Sequence, residues 1–294
     1  MMSKQKFFRL EDRSLIRIIG EDARAFLQGL VSSDVEKISA ERAIYGAFLT
    51  PQGKYLHDFF AVDLNCSLYL DCESSRIEDF YKRLRIYKLR SKVEIEIASG
   101  FQILVVFGSD VLKPLGLPEQ PGAANSYQNG IVYTDPRLVF AGARCILPRK
   151  AINAFTELGF SEALSDDYDC HRISLGLPDS SRDMEVEKSI LLENGFEELN
   201  GVDFNKGCYM GQELTARTKY RGLVKKRLMP VIIDGVVSSP GLVIFQNCKS
   251  VGELRSVCGD IGMALIRLEA LEKDAPLTAG DARIVPKKPS WANF

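Results

Sequence analysis

Lys206-Gly207-Cys208-Tyr209-Met210-Gly211-Gln212-Glu213 is the stretch from which this 294-residue chain is read. Two glycines, Gly207 and Gly211, bracket Cys208 and Tyr209. Glycine opens backbone conformations closed to other residues and lets a ligand approach the chain closely. The segment Gln212 to Tyr220 has helix-forming composition, so the thiol sits just before a predicted helix N-terminus, with Lys206 two residues upstream. Positive potential from both sources favours thiolate over thiol, which makes Cys208 the candidate reactive residue. Downstream follow Arg217, Lys219, Arg221, Lys225, Lys226 and Arg227, with no acid between Leu214 and Arg227. Such a run suits a polycarboxylate or a phosphate, and a solvated helix face followed by a basic linker reads the same.

The remaining chemistry is sparse. Seven cysteines are an odd number and no two are spaced C-x-x-C, so neither a disulfide framework nor a zinc knuckle is indicated. The six cysteines other than Cys208 read as core fillers. Only His57 and His171 are present, far apart, which argues against a histidine-rich metal site; no metal is expected. A net charge of -1 gives no global field for nucleic acid, and none is expected as a partner. Hydrophobic residues at 46% and charged residues at 26% are the mix of a globular protein with a large core. No run approaches the roughly 20 apolar residues of a membrane span. The opening Met1 to Lys6 lacks the apolar stretch of a secretory signal. A reducing compartment is expected, the cytoplasm or, for a mature organellar protein, the mitochondrial matrix.

Along the chain, residues 14–19 read as a strand, and Asp22 as the N-cap of a helix carrying Ala23, Phe26, Leu27 and Leu30 on one face. Tyr45 to Leu49 and Tyr55 to Leu64 flank Thr50-Pro51-Gln52-Gly53, where Pro and Gly at the second and fourth turn positions predict a hairpin. Residues 67–72 predict a strand, 77–89 a helix, 93–97 a half-exposed strand and 101–107 a buried one. Asn129-Gly130 signals a hairpin turn, with Val132 and Val139 in its strands. Ala151 to Leu158 and Tyr168 to Leu175 predict short helices ended by Gly159 and Gly176. After Arg227 short strands separated by turn residues predict a small antiparallel barrel. The domains read as an α+β body over 1–227 and a C-terminal β-barrel over 228–294.

The eight-residue stretch closely resembles the K-G-C-Y-x-G-Q-E motif of the YgfZ family, folate-binding proteins of iron–sulfur cluster metabolism related to the aminomethyltransferase (T-protein) of the glycine cleavage system. Further segments resemble the same family: Phe26 to Val35, Tyr45 to Gly53, Arg172-Ile173 with Gly176-Leu177-Pro178, and Gly252-Glu253-Leu254 with Gly262-Met263-Ala264. The resemblance implies an aminomethyltransferase-like ring of modules, two of them interleaved in the body, around a central cavity that binds tetrahydrofolate or a related folate. By position, Tyr45 would line the pterin pocket. Where the T-protein has an acidic pair, this chain has His57-Asp58, so Asp58 would keep a polar contact to the folate, while His57 reads as a strand-surface residue. Lys206, Gln212, Glu213, Arg217 and Arg221 would complete the cofactor site, the cations facing the carboxylate tail.

The function so implied is that of a folate-binding accessory factor in assembly or repair of [4Fe-4S] proteins, acting through Cys208 on iron–sulfur proteins or their assembly factors. One cysteine cannot hold a stable cluster, which normally takes four ligands. The alternative is a tetrahydrofolate-dependent aminomethyltransferase, against which the altered acidic pair and the added cysteine motif argue. A third reading makes the loop a non-catalytic partner interface.

Overall fold

The computed structural model describes residues 5–237 and 239–294. Its organising element is the predicted hairpin, with strands Ile44–Leu49 and Tyr55–Leu64 and Ala47 opposite Asp58. The Gly53 N–H donates to the Thr50 carbonyl, closing the turn, and Gly53 takes the positive φ of 81° that favours glycine. Five antiparallel strands make this sheet, in the order Ile44–Leu49, Tyr55–Leu64, Ser67–Glu73, Arg13–Ile19, Glu94–Ala98. The helices Ala23–Gln28 and Ile77–Lys88 cover one face, burying Leu27, Phe80 and Leu84 against Ile16, Phe48 and Phe59.

A second sheet has the order Ser161–Glu162, Lys6–Arg9, Phe101–Phe107, Ala143–Pro148, Gly130–Thr134, Ala124–Tyr127. Its strand Lys6–Arg9 lies at the start of the chain, so the second module begins before the first is built and the two are interleaved. The main core lies between the sheets, joining Tyr45, Phe60 and Val62 to Ile103, Val105 and Ile146, with Met184, Leu191 and Phe196 closing it.

Six further strands close a barrel in the order Lys226–Asp234, Ile261–Arg267, Lys249–Cys258, Val243–Gln246, Leu277–Ala279, Ala282–Pro286. The first of them already contains Lys226 and Arg227, so these two cations belong to the barrel rather than to a linker.

Several local expectations change. The first helix ends at Gln28, short of Leu30, and the Asp22 side chain accepts from the Lys92 backbone N–H instead of capping it. The turn Gln128-Asn129, with φ of 48° and 61°, joins Ala124–Tyr127 to Gly130–Thr134, and Val139 falls in a 3-10 turn beyond that hairpin. The cysteine reading needs the largest correction. Cys170 and Cys258 form a disulfide, tying the helix Ser165–Ser174 to the barrel strand Lys249–Cys258. Cys66 and Cys248 are exposed, each at positive φ, and only Cys72 and Cys145 are buried fillers.

Candidate functional site

Two places in the molecule hold the residues singled out from the sequence. The first is a central cavity of about 570 Å³, walled by the segment 8–13, by Asp58 and Phe60 of the hairpin, by Arg144 of the second sheet and Arg137 in the bend after its strand Gly130–Thr134, and by Tyr168, Asp169 and Arg172. Asp58 is buried, and its carboxylate accepts from the Tyr45 hydroxyl at 3.1 Å and the Tyr55 hydroxyl at 3.0 Å. Burial, then the adjacent Asp58 charge, push both phenols well above their ordinary range, so they remain donors. Tyr45 therefore supports Asp58 from behind rather than lining the cavity wall. Around them sit buried charges. Arg144 lies over the Phe60 ring at 3.8 Å and donates to Asp71 at 2.6 Å, and Arg13 donates to the same carboxylate at 2.7 Å. Burial alone would raise Asp71, yet the two arginines hold it below the usual carboxylate range.

His57 faces the other way. Successive strand residues point to opposite faces, so His57 and Asp58 cannot both enter the cavity. The imidazole is buried against Phe80, stacked at 4.6 Å between centroids, and its Nε2 is 2.8 Å from Asp79. This corrects the strand-surface reading. Burial, aided by the nearby Arg76 charge, pushes its pKa from 6.5 to about 4. The unfolded chain thus takes up this proton first as pH falls. Burying the imidazole neutral costs nothing above about pH 6.5, and stability is lost as pH falls toward 4, up to about 3 kcal/mol by linkage. Urea unfolding followed from pH 7 to 4.5 should show a shallower decline for His57→Gln than for the native chain.

The second place is the motif loop. Lys206 donates to three backbone carbonyls, those of Gln28, Val31 and Ser33, at 2.7–2.8 Å. Its ammonium is thus committed to this cradle and is not a free cation beside the thiol, contrary to the sequence expectation. Burial lowers it to about 8. Four residues on, the Met210 N–H donates to the Gly29 carbonyl. Gly211 takes φ 80° and packs so tightly on the hairpin turn that an added Cβ would lie 2.5 Å from the Thr50 carbonyl oxygen. Pinned at both ends, the loop projects Gly207 and Cys208 into solvent, and nothing lies within 4 Å of where a Gly207 Cβ would be.

The helix expected after the motif runs Gln212–Tyr220. Lys206, Gln212, Glu213, Arg217 and Arg221 line a surface depression of about 690 Å³ beside the loop, not the central cavity. The reason is local: the loop docks on the hairpin turn and the end of the first helix, at the rim of the sheet. The sequence reading thus grouped two places that the fold keeps apart. It also missed Arg13, Tyr55, Asp71, Arg137 and Arg144. The available signal was charge inside strands otherwise apolar, as in Leu68-Tyr69-Leu70-Asp71-Cys72 and Ala143-Arg144-Cys145-Ile146-Leu147.

Comparison with known proteins agrees with this architecture. A family model described as the CAF17 C-terminal β-barrel domain matches residues 225–294. The human protein named "Iron-sulfur cluster assembly factor IBA57, mitochondrial" is 33% identical, the match covering 97% of this chain and 84% of that protein. The mouse protein of the same name is 31% identical over 95% of this chain and 82% of its own length. Glycine cleavage system aminomethyltransferase T from Bartonella henselae superposes with a TM-score of 0.79, covering 99% of this chain and 87% of that one at 16% identity, a likeness of fold. A near full-length match at that identity and a barrel of the matching family place the chain in the IBA57/CAF17 (YgfZ) family of iron–sulfur cluster assembly factors.

Proposed function

We propose that the chain supports assembly or repair of [4Fe-4S] proteins by presenting the Cys208 thiol to an iron–sulfur protein or assembly factor, with a tetrahydrofolate-type ligand in the central cavity. The observation that carries this reading is the loop itself: a solvent-facing sulfur on a tip clamped at Lys206 on one side and at Met210 and Gly211 on the other. Such fixed presentation suits thiolate exchange, a transient persulfide or a shared cluster ligand, and a single thiol, where a cluster normally takes four ligands, suits a passing contact. Among the described residues no helix is long and apolar enough to cross a membrane. The relatives' names place those proteins in mitochondria, and the same setting is our reading for this chain where its source is eukaryotic.

The residues of the cavity fit a folate. A pterin presents adjacent N–H donors that a carboxylate accepts, and Asp58 has lone pairs beyond the two taken by Tyr45 and Tyr55. Phe60 and Tyr168 offer ring faces, and Arg9, outside every ion pair among the described residues, offers a cation to a carboxylate tail. A reduced folate would supply a one-carbon carrier there. The transferase alternative keeps one carboxylate, Asp58, because His57 lies behind the sheet.

Two measurements test the proposal. Cys208→Ala in cells lacking the native protein should fail to restore iron–sulfur enzyme activity, and full rescue would remove the thiol mechanism. Titrating tetrahydrofolate into the pure protein should show saturable binding that Asp58→Asn weakens about tenfold or more, as loss of a charge-assisted bond implies. Turnover with an aminomethylated carrier would instead promote the transferase.

A further inference from the structure

The cations that follow the motif are left without work by the fold. Arg217 and Arg221 line the surface depression beside the loop and are not among the residues that wall the central cavity. Of their neighbours, Lys219 pairs with Glu197 and Arg227 with Glu198, and Lys226 lies in the first barrel strand. Among the described residues, Arg217, Arg221 and Lys225 form no ion pair, and all three are exposed. Arg217, Tyr220 and Arg221 fall on one outward stripe of the helix, and Tyr220 keeps 74% of its surface open to solvent. Tyr209, the residue next to Cys208, lines the same depression.

We propose that this face docks an acidic surface segment of a protein partner, its carboxylates meeting Arg217 and Arg221 and its approach bringing it onto Cys208. The proposal rests on the reading of Cys208 as the working thiol and adds the chemistry of what reaches it. Guanidinium forks recognise carboxylates bidentately, and exposed Tyr beside Arg is the composition of interface anchors. A bilayer fits less well, because Glu213 sits among these residues and the exposed apolar side chains there are few, Tyr220 and Leu223. Asp203, the other carboxylate at the depression, is already paired with Lys37.

The test uses the full chain carrying Cys66→Ser and Cys248→Ser, which removes the two other exposed free thiols. Two synthetic peptides of equal length, one rich in Glu and Asp and one uncharged, each carry a single cysteine as its mixed disulfide with thionitrobenzoate. The Cys208 thiolate attacks the peptide sulfur, a new disulfide forms, and thionitrobenzoate leaves with the electron pair and is read by its absorbance. At low salt the acidic probe should react about tenfold faster than the uncharged one, with the ratio collapsing toward one at high salt. In Arg217→Glu/Arg221→Glu, each rate being referred to that variant's own rate with the uncharged probe, the preference should vanish; Arg217→Gln/Arg221→Gln should show a partial loss. Equal rates for both probes on the unaltered face would overturn the proposal. So would cation-dependent capture by phosphatidylglycerol vesicles without discrimination between the peptides, which would assign the face to lipid. Rescue of cells by Cys208→Ala would sink the thiol reading and leave this rate ratio untouched, so the two failures are distinguishable.

Discussion

Asp71→Ala should lower the free energy of unfolding by about 3–5 kcal/mol, enough to leave a protein of ordinary stability marginal at best. Asp71 is wholly buried and takes hydrogen bonds from Arg13 and Arg144, which come from different sheets. Removing the carboxylate strands two guanidinium groups in a low-dielectric core, and the cost of an uncompensated buried charge exceeds the worth of the pair itself. Arg144 stays pressed on Phe60 with its side chain only 3% exposed, so little of the freed charge can be solvated in place. Chemical denaturation gives the number directly. A loss under about 1 kcal/mol would mean that water reaches these arginines and the pair is not the tie between the sheets. Asp71→Asn should cost less than Asp71→Ala, because the amide oxygen still accepts one bond.

Gly211→Ala is the second large effect, and it acts on presentation as well as stability. At φ 80° an alanine is strained by about 1–2 kcal/mol before any contact is counted. Its Cβ would also meet the Thr50 carbonyl oxygen at 2.5 Å and the Gly53 Cα at 3.0 Å, backbone atoms that cannot swing aside. The loop must therefore lift from the hairpin turn. Alkylation of Cys208 should change in rate, iron–sulfur enzyme activity should fall well below that of the native chain, and the thermal midpoint should drop by several degrees. Gly207→Ala is the internal comparison, since its Cβ would meet nothing within 4 Å. Equal behaviour of the two variants would sink the clamp.

What could be read beforehand follows from where the information lies. The hairpin at Thr50 to Gly53 and the helix Gln212–Tyr220 are local devices, a turn with Pro and Gly in set places and a run of helix formers, and both stand as expected. The barrel itself and its first four strands carry turn residues and apolar runs and were legible, whereas the short closing strands Leu277–Ala279 and Ala282–Pro286 were not. Long-range partnerships were not. Lys206 lies beside Cys208 in sequence, yet its amine reaches back to Gln28, Val31 and Ser33. Nothing in the spacing of Cys170 and Cys258, 88 residues apart, announces that they meet. Adjacent His57 and Asp58 invited a pair reading that the alternation of a strand forbids. The resemblance of the motif supplied the ring, whereas the division of its residues between two places required coordinates.

The cradle around Lys206 spans as many as 178 residues of chain. Closures over such distances come late as a polypeptide matures. An unfinished or damaged copy would therefore carry its Cys208 sulfur on a slack tether, and a completed ring alone would offer it at a fixed address. On the proposed reading of Cys208, maturity of the scaffold and presentation of the thiol become one event.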